Sequence, residues 1–218
     1  MHYSIIIPVH NEEKSIPDLL KQLEVYANGN EILFINDGSN DNSKTLLNKN
    51  KHINVHNLDK NFGKGFAIKR GLKISSNNKI VIYDGDLELK SDDIKKLMIL
   101  DKSKDIHFVI GSRTNRFNPF NSFWDFGNYI LTIIFNLKNN TKLNDSLCCA
   151  KSFYKSDLNQ KYIKSNSFDI DVELTGLLLK KSQKYKIRLL NYKRRAIKDG
   201  KKLRFSDSWK ILKRIIRS

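Results

Sequence analysis

Apolar and polar residues alternate along the first half of the chain in a pattern that predicts strands and helices in turn. Short continuous apolar runs are typical of strands buried on both faces, and they predict strands at 4–9, 31–36, 53–57, 79–83 and 108–110. Apolar residues at helical spacing predict helices at 15–26, from Asp41 or Ser43 through Leu47, at 65–74 and from Ser91 through Leu100. This alternation over short connections predicts an α/β fold with a mostly parallel sheet flanked by helices.

The second half of the chain breaks this rhythm. Residues 121–137 form a strongly apolar stretch with helical spacing, and two further helices are predicted at 170–181 and 206–217. Apolar runs at 143–153 and 186–192 predict two more strands.

Positive charge is concentrated at one end of the chain. The 218 residues include 40 Lys+Arg and 23 Asp+Glu, a net charge of +17. Residues 180–218 hold 16 of the basic and 2 of the acidic residues, so the first 179 residues carry a net charge of only +3. A basic end is compatible with nucleic-acid binding, but the chain contains no recognised nucleic-acid-binding motif. Its 39% of hydrophobic residues excludes wholesale disorder.

The N-terminal residues and the cysteines favour a cytoplasmic location. The chain leads straight into an apolar strand, with no basic n-region or cleavage site that would indicate a signal peptide. No stretch reaches the ~18 continuous apolar residues of a membrane span. Cys148 and Cys149 are adjacent, and neighbouring cysteines rarely form a disulfide because the geometry is strained. We therefore expect a reducing compartment.

Three aspartates fall at the ends of predicted strands, where open α/β sheets bind their ligands. Asp37 follows the second strand, and Asp84 and Asp86 follow the fourth. In an extended Asp-x-Asp segment both carboxylates project to the same side, and Mg²⁺ or Mn²⁺ binds carboxylate oxygens together with substrate phosphates. Glu88 adds a third carboxylate or is a surface group. Asp-Gly is also an ordinary turn dipeptide, so each motif is weak on its own.

A glycine-rich segment at 61–65 opens a predicted helix, where backbone amides and Lys64 could meet an anion. The segment matches neither the P-loop motif nor the Gly-x-Gly-x-x-Gly dinucleotide fingerprint. The sequence therefore argues against a P-loop NTPase and against a nicotinamide dehydrogenase.

Taken in order, the motifs of this chain resemble those of family 2 glycosyltransferases with the GT-A fold. The donor-side segments that carry the resemblance are IPVHNEE at 7–13, NDGSND at 36–41, NFGKG at 61–65, DGDLE at 84–88 and GSR at 111–113. Beyond them, the chain is similar to polyprenyl-phosphate glycosyltransferases, the group of the dolichyl-phosphate glucosyltransferases and mannose synthases. The segments concerned are DSLCCAK at 145–151, FDIDVEL at 168–174 and DGKKL at 199–203.

The resemblance implies a nucleotide-sugar and metal site. The residues that would hold the base and ribose of the donor are Pro8, Val9, Asn11, Glu12 and Asp37. Asp84 would also face the ribose of the donor, and Asp84, Asp86 and Glu88 would form a site for Mg²⁺ or Mn²⁺. Glu88 stands where relatives often carry a glutamine ligand. Asn36 stands where the family usually has a first aspartate.

The resemblance also implies which cations act on the substrates. Lys64 and Arg113 would lie near the donor base or diphosphate, and Arg195 and Lys202 would approach the donor diphosphate or the acceptor phosphate. The implied catalytic residues are Asp86, Arg113 and Lys202, because a metal and cationic side chains would neutralise charge on the leaving diphosphate. Cys149-Ala150 replaces the Gly-Phe of the family segment.

The implied reaction moves a hexose, with inversion, from a UDP- or GDP-sugar to a polyprenyl phosphate such as dolichyl or undecaprenyl phosphate. A phosphate acceptor is already ionised and needs no general base. The alternative acceptor is a glycan hydroxyl, which would need a base, with Asp171 or Glu173 as candidates unless they serve only the helix dipole. An inactive transferase-like scaffold is a further alternative.

The resemblance divides one GT-A domain into a nucleotide-sugar-binding half at 1–113 and an acceptor-side half at 114–192. Residues 193–218 form a basic amphipathic segment, with Lys and Arg interspersed among the apolar positions of its helix. Such a helix suits an anionic membrane surface. The apolar stretch 123–137 is either a core helix or lies beside the bilayer. We expect peripheral attachment to the cytoplasmic face, directly or through a partner membrane protein.

Overall fold

The computed structural model describes residues 2–114, 123–195 and 205–217, and a seven-stranded sheet runs through them. Its strands are β1 (Tyr3–Val9), β2 (Glu31–Asn36), β3 (Asn54–Asn57), β4 (Lys79–Ile82), β5 (Phe108–Ser112), β6 (Lys151–Tyr154) and β7 (Tyr185–Leu189). They lie in the order β3-β2-β1-β4-β6-β5-β7. Only β6 runs antiparallel to its neighbours, β4 and β5, so the predicted mostly parallel sheet is confirmed.

Helices cover both faces of this sheet. They are α1 (Ile16–Ala27), α2 (Ser43–Asn48), α3 (Lys64–Ile74), α4 (Ile94–Leu97), α5 (Phe123–Asn139), α6 (Ile170–Lys181) and α7 (Phe205–Arg217). Successive side chains of a strand point to opposite faces. Accordingly, Ile6 of β1 belongs to a buried cluster with residues of α3, α5, α6 and α7, whereas Ile5 and Ile7 join α1, α2 and α4.

The predicted strand at 143–153 is wrong over its first eight residues, since only Lys151–Tyr154 pairs within the sheet. The buried carboxylate of Asp145 instead accepts N–H bonds from Arg113. Ser146 likewise bonds Thr132 of α5. Contacts of these polar side chains hold the segment in place, and such contacts leave no periodic pattern in the sequence.

The predicted helix from Ser91 to Leu100 is shorter in the structure. It begins as a 3₁₀ turn at Ser91–Asp93 and continues as α4 only to Leu97. The chain then turns, and the amide of Leu100 donates a hydrogen bond of 3.0 Å to the hydroxyl of Tyr3. Among the described helices, none has both the length and the apolar character needed to cross a membrane.

Candidate active site

A cavity of about 940 Å³ lies at the carboxyl ends of β1, β2 and β4. It is lined by every described residue that the resemblance assigns to the donor, the metal or the diphosphate: Pro8, Val9, Asn11, Glu12, Asp37, Lys64, Asp84, Asp86, Glu88, Arg113 and Arg195. Lys202 lies outside the described residues. The structure thus brings together residues that are separated by up to 187 positions in the chain.

Asp37 shapes the wall of this cavity. Its two carboxylate oxygens accept the amides of Phe62 and Gly63, each at 2.8 Å. Gly63 has a φ of +98°, and a Cβ there would lie 2.1 Å from the carbonyl oxygen of Asn166, so only glycine fits. Asp37 therefore fixes the turn from which α3 begins, and this turn places Lys64 at the cavity.

The Asp-Gly-Asp turn packs against β1. A Cβ on Gly85 would lie 2.4 Å from Cγ1 of Val9, so a larger residue would push the turn away from the strand. With glycine there, Asp84 and Asp86 both line the cavity, as the sequence predicted.

The two aspartates have opposite electrostatic environments. Burial disfavours the charge of Asp84, but the ammonium of Lys64, 2.9 Å from its Oδ2, holds the pKa of Asp84 below its usual range. Burial also raises the pKa of Asp86, and the neighbouring carboxylates of Asp84 and Glu88 raise it further, to about 6. Negative charge at Asp86 is therefore the less well compensated of the two.

Positive and negative side chains alternate at the cavity in the series Asp84, Lys64, Asp171 and Lys151, which joins the two halves of the chain. The Nζ of Lys64 lies 2.9 Å from both Asp84 and Asp171. The fully buried Lys151 places its Nζ 3.7 Å from Oδ1 of Asp171 and donates a 2.8 Å hydrogen bond to the carbonyl of Cys148. Among the described residues, Oδ1 of Asp171 has no hydrogen-bond donor.

Glu173, the second candidate base, lies elsewhere. Its carboxylate accepts the amides of Lys164 and Ser165 and a 2.9 Å bond from the guanidinium of Arg214 on α7. It is not among the residues that line the cavity. The structure thus leaves Asp171 as the candidate base at the cavity and gives Glu173 a role in packing α6 against α7.

Arg113 forms a closed pair with the buried Asp145. Its Nε and Nη2 donate bonds of 2.7 and 2.8 Å to the two carboxylate oxygens. Burial works against both charges, but each stabilises the other. The pKa of Arg113 is raised and that of Asp145 is lowered. The arginine guanidinium also lies 5.4 Å from the ring centroid of Tyr192.

Arg195 bonds to several acidic groups of the first half. It donates bonds of 2.9 and 3.1 Å to the carboxylate of Glu12, and its Nη2 lies 3.4 Å from Asp86. Its backbone amide donates to Oε1 of Glu88 at 2.9 Å. The preceding residue, Arg194, forms an ion pair with Asp125 of α5. Adjacent arginines therefore bind different elements, Arg194 the helix α5 and Arg195 the segment after β1.

The three carboxylates predicted to bind a metal reach one cavity without forming a three-ligand cage. Within residues 2–114, 123–195 and 205–217, no group of three His, Cys, Asp or Glu side chains is arranged to hold a metal ion. Asp84 contacts Lys64, and Glu88 accepts the amide of Arg195. The carboxylate oxygens of Asp84 and Asp86 suit a hard divalent cation if substrate phosphates complete its ligands. The donor set therefore fits such a cation together with a phosphate-bearing ligand.

An apolar wall of the cavity was not predicted from the sequence. It consists of Leu147 before β6, Phe168 and Val172 at the start of α6, and Ile211 of α7. Phe168 and Val172 belong to a segment that carries the family resemblance, but Ile211 had no such signal. Its position on α7 becomes visible only when that helix is packed against the rest of the fold.

Beside the cavity, α5 has one buried and one exposed apolar side. Leu131 and Phe135 are buried, whereas apolar side chains on the other side are exposed: Phe126, Tyr129, Ile130, Ile133 and Leu137. We call these five residues the α5 stripe. On the neighbouring α7, Trp209 and Ile216 are exposed. The predicted apolar stretch 123–137 is therefore a half-buried helix, with one apolar side in the core and the other exposed.

Comparison with known proteins identifies the family. Residues 4–163 match the family model described as glycosyl transferase family 2. The chain belongs to glycosyl transferase family 2. This confirms the resemblance to family 2 glycosyltransferases, and the match spans most of the chain.

Solved structures of low sequence identity share the fold of this glycosyltransferase. Glucosyl-3-phosphoglycerate synthase from Mycobacterium tuberculosis, in complex with Mn²⁺, UDP and glucosyl-3-phosphoglycerate, aligns with a TM-score of 0.73 and 14% identity. The alignment covers 99% of this chain and 78% of the synthase. S. aureus TarS in complex with UDP-GlcNAc aligns with a TM-score of 0.64 and 15% identity, over 99% of this chain and 65% of TarS. The predicted GT-A fold is therefore confirmed.

Proposed function

We propose that this glycosyltransferase moves a hexose, with inversion, from a UDP- or GDP-sugar to a polyprenyl phosphate at a membrane surface. One observation carries the proposal: the cavity has an acidic rim at Asp84 and Asp86 and an apolar wall that includes Phe168 and Ile211. The rim suits a metal-bound diphosphate, and the wall suits the hydrocarbon next to an acceptor phosphate.

The donor side is supported by chemistry and by the structural neighbours. The M. tuberculosis synthase was crystallised with Mn²⁺ and UDP, and TarS was crystallised with UDP-GlcNAc. We therefore infer a nucleoside-diphosphate sugar as donor, with UDP-sugars the first to test. Asp84 and Asp86 would hold Mg²⁺ or Mn²⁺, which supplies positive charge to the leaving diphosphate.

The residues of the chain itself would position the donor. The turn held by Asp37 places Lys64, whose ammonium bridges Asp84 and Asp171. Because that cation is already placed, little reorganisation is needed when charge develops on the diphosphate. Arg113, fixed by Asp145, adds a second positioned cation on the cavity wall.

The acceptor side is supported by the apolar surfaces around the cavity. Asn128 of α5 lines the cavity, and the same helix carries the exposed α5 stripe. Contiguous exposed apolar residues of this kind mark interaction surfaces. A lipid phosphate would bring its charge into the cavity and leave its chain against such residues. Since the phosphate is ionised near neutral pH, the transfer needs no general base.

The membrane attachment that we propose is peripheral and on the cytoplasmic face. On α7, Lys210, Lys213 and Arg217 are exposed beside Trp209 and Ile216. A basic helix with an exposed aromatic residue suits an anionic lipid surface, where each basic side chain contributes about 1 kcal/mol.

A second acceptor class, a glycan hydroxyl, is favoured by one observation. Asp171 lines the cavity, and among the described residues its Oδ1 has no hydrogen-bond donor. This oxygen could accept the proton of an attacking hydroxyl. Asp171→Asn should then reduce transfer to a hydroxyl acceptor about 100-fold or more, and should reduce transfer to a phosphate acceptor much less.

A donor and acceptor screen tests these proposals. Purified protein is incubated with radiolabelled UDP- or GDP-hexoses, Mn²⁺ or Mg²⁺, and either a short polyprenyl phosphate or a panel of glycans as acceptor. The matched control acceptor is the same polyprenol without phosphate. We expect a labelled lipid product only with the phosphate. Transfer to glycans but not to polyprenyl phosphate would contradict the main proposal and favour the second, and transfer to neither would contradict both.

A further inference from the structure

Arg195 binds the acidic residues on which the proposed metal site depends. Its guanidinium bonds both oxygens of Glu12 at 2.9 and 3.1 Å and lies 3.4 Å from Oδ2 of Asp86. Its amide donates to Oε1 of Glu88 at 2.9 Å. One residue thus contacts two of the three predicted metal ligands, Asp86 and Glu88, and a neighbouring carboxylate.

The local charges leave room for a divalent cation in place of this arginine. Asp86 and Glu88 carry up to two negative charges when ionised. Among the described residues, the cation within 4 Å of Asp86 is Arg195, which also bonds Glu12. Asp84 is compensated separately by Lys64. Arginine compensates these carboxylates only in part, whereas a divalent ion would compensate two charges at shorter range.

The contacts of Arg195 are also incomplete. Its Nε is buried and, among the described residues, has no hydrogen-bond partner. Its contact with Asp86 is 3.4 Å, longer than the 2.7–2.9 Å of a strong charged hydrogen bond. A buried donor without a partner lowers the stability of the position that it occupies. The contact with Asp86 therefore stabilises this position of Arg195 less than a short, complete ion pair would.

We infer that Arg195 is a built-in counter-cation that competes with the divalent metal for Asp86 and Glu88. In the structure the guanidinium compensates part of the negative charge of the acidic rim, and metal binding requires Arg195 to leave Asp86 and its amide to leave the side chain of Glu88. The inference rests on the metal site of the proposed function and goes beyond it, because it makes metal affinity depend on a residue that is not a ligand.

Metal titration tests the competition without any sugar transfer. Mn²⁺ binding is measured by calorimetry or electron paramagnetic resonance on the full chain with saturating UDP or GDP, whose phosphates would complete the ligands of the ion, and without a sugar donor or acceptor. Removing the competing cation in Arg195→Gln should tighten Mn²⁺ binding about tenfold. Arg194→Gln is the matched control, since it removes the same charge from the neighbouring residue, which pairs with Asp125. It should change the affinity less than about twofold.

Amide hydrogen exchange provides a second readout on the unmodified protein, which remains informative if Arg195→Gln does not fold. The amide of Lys193 donates to the backbone carbonyl of Glu88, and the amide of Arg195 donates to the Glu88 side chain. Saturating Mn²⁺ should therefore increase exchange at Arg195 and leave exchange at Lys193 unchanged. The Lys193 amide is an internal control for loosening of the whole segment.

Tighter Mn²⁺ binding by Arg195→Gln, together with selective exchange at Arg195, would support the competition. Unchanged or weaker Mn²⁺ binding by a folded Arg195→Gln would overturn it. So would an Arg195 amide that stays protected at saturating Mn²⁺, or an absence of Mn²⁺ binding by both proteins up to millimolar concentration. Because these measurements involve no sugar transfer, a negative sugar-transfer assay does not contradict the competition. Conversely, an enzyme that transfers sugar but shows unchanged Mn²⁺ affinity in Arg195→Gln would overturn the competition and leave the proposed function in place.

Discussion

Two arginines line the same cavity and differ in how their charges are compensated. Arg113 makes two short bonds to Asp145, at 2.7 and 2.8 Å, and its backbone amide contacts the same carboxylate. Arg195 bonds Glu12, contacts Asp86 only at 3.4 Å and leaves its Nε without a partner among the described residues. The first pair is complete by itself, whereas the charge of the second arginine is shared between Glu12 and Asp86.

The difference shows how one cavity can combine rigid and exchangeable charge. A buried pair that satisfies both partners holds the wall in place, because breaking it would leave a charge buried without compensation. A cation that compensates several carboxylates incompletely can be replaced by a divalent metal ion. Replacing the acidic partner of each arginine should therefore have opposite consequences for activity and stability.

The largest effect is expected on the side of Arg195. Asp86→Ala should lower sugar transfer about 1,000-fold or more, because it removes the proposed principal metal ligand. Its free energy of unfolding should not fall, since burial and the neighbouring carboxylates raise the pKa of Asp86 to about 6 and thereby disfavour its charge. Turnover of radiolabelled nucleotide sugar and urea denaturation are the measurements.

The control for that variant is Asp92→Ala, which removes an exposed carboxylate near α4. It should leave transfer unchanged. Full turnover in Asp86→Ala would contradict the assignment of Asp86 as a metal ligand.

The next largest effect is expected on the side of Arg113 and concerns stability. Asp145→Asn leaves a buried arginine without its anion, so the free energy of unfolding at pH 7 should fall by about 3 kcal/mol. Arg113 lowers the pKa of Asp145 in the folded protein. The stabilisation is therefore present above the ordinary aspartate pKa and is lost as the pH falls through the lower folded value.

Urea denaturation across a pH series checks this prediction. The difference between the wild type and Asp145→Asn should be constant near neutrality and should narrow below about pH 4. A difference that is absent at pH 7 would show that the Arg113 pair is not a closed structural pair, and the contrast between the two arginines would disappear.

The smallest effect is expected outside the cavity. Leu137, at the end of the α5 stripe, is 79% exposed. Leu137→Ser should reduce binding to anionic vesicles about 5- to 30-fold, because replacing one leucine removes about 1–2 kcal/mol of apolar contact with lipid. Neither arginine site should change, so the free energy of unfolding should stay the same.

Val25 provides the matched control, since it is 73% exposed on α1, which packs on the other face of the sheet. Val25→Ser should leave vesicle binding unchanged in a flotation assay. Equal losses in both variants would argue against a specific lipid-facing surface on α5.

Much of the first half could be predicted from the sequence, because local signals dominate there. The predicted strand at 31–36 agrees with β2, and Asp37, Asp84 and Asp86 reach the cavity as expected. The family was identified from segments in the right order. The segment 143–153 was mispredicted as one strand, because its polar side chains bond to distant residues.

The strand–helix alternation and the polar residues at the strand ends follow from periodicity and from the common edge of parallel strands. The family follows from the order of the motifs along the chain. Which charges meet depends on packing: Arg113 with Asp145, Lys151 near Asp171, and Arg195 with Glu12, 183 positions away. Such pairs depend on how the second half packs against the sheet, and the energy of a buried charge is set by its neighbours in space.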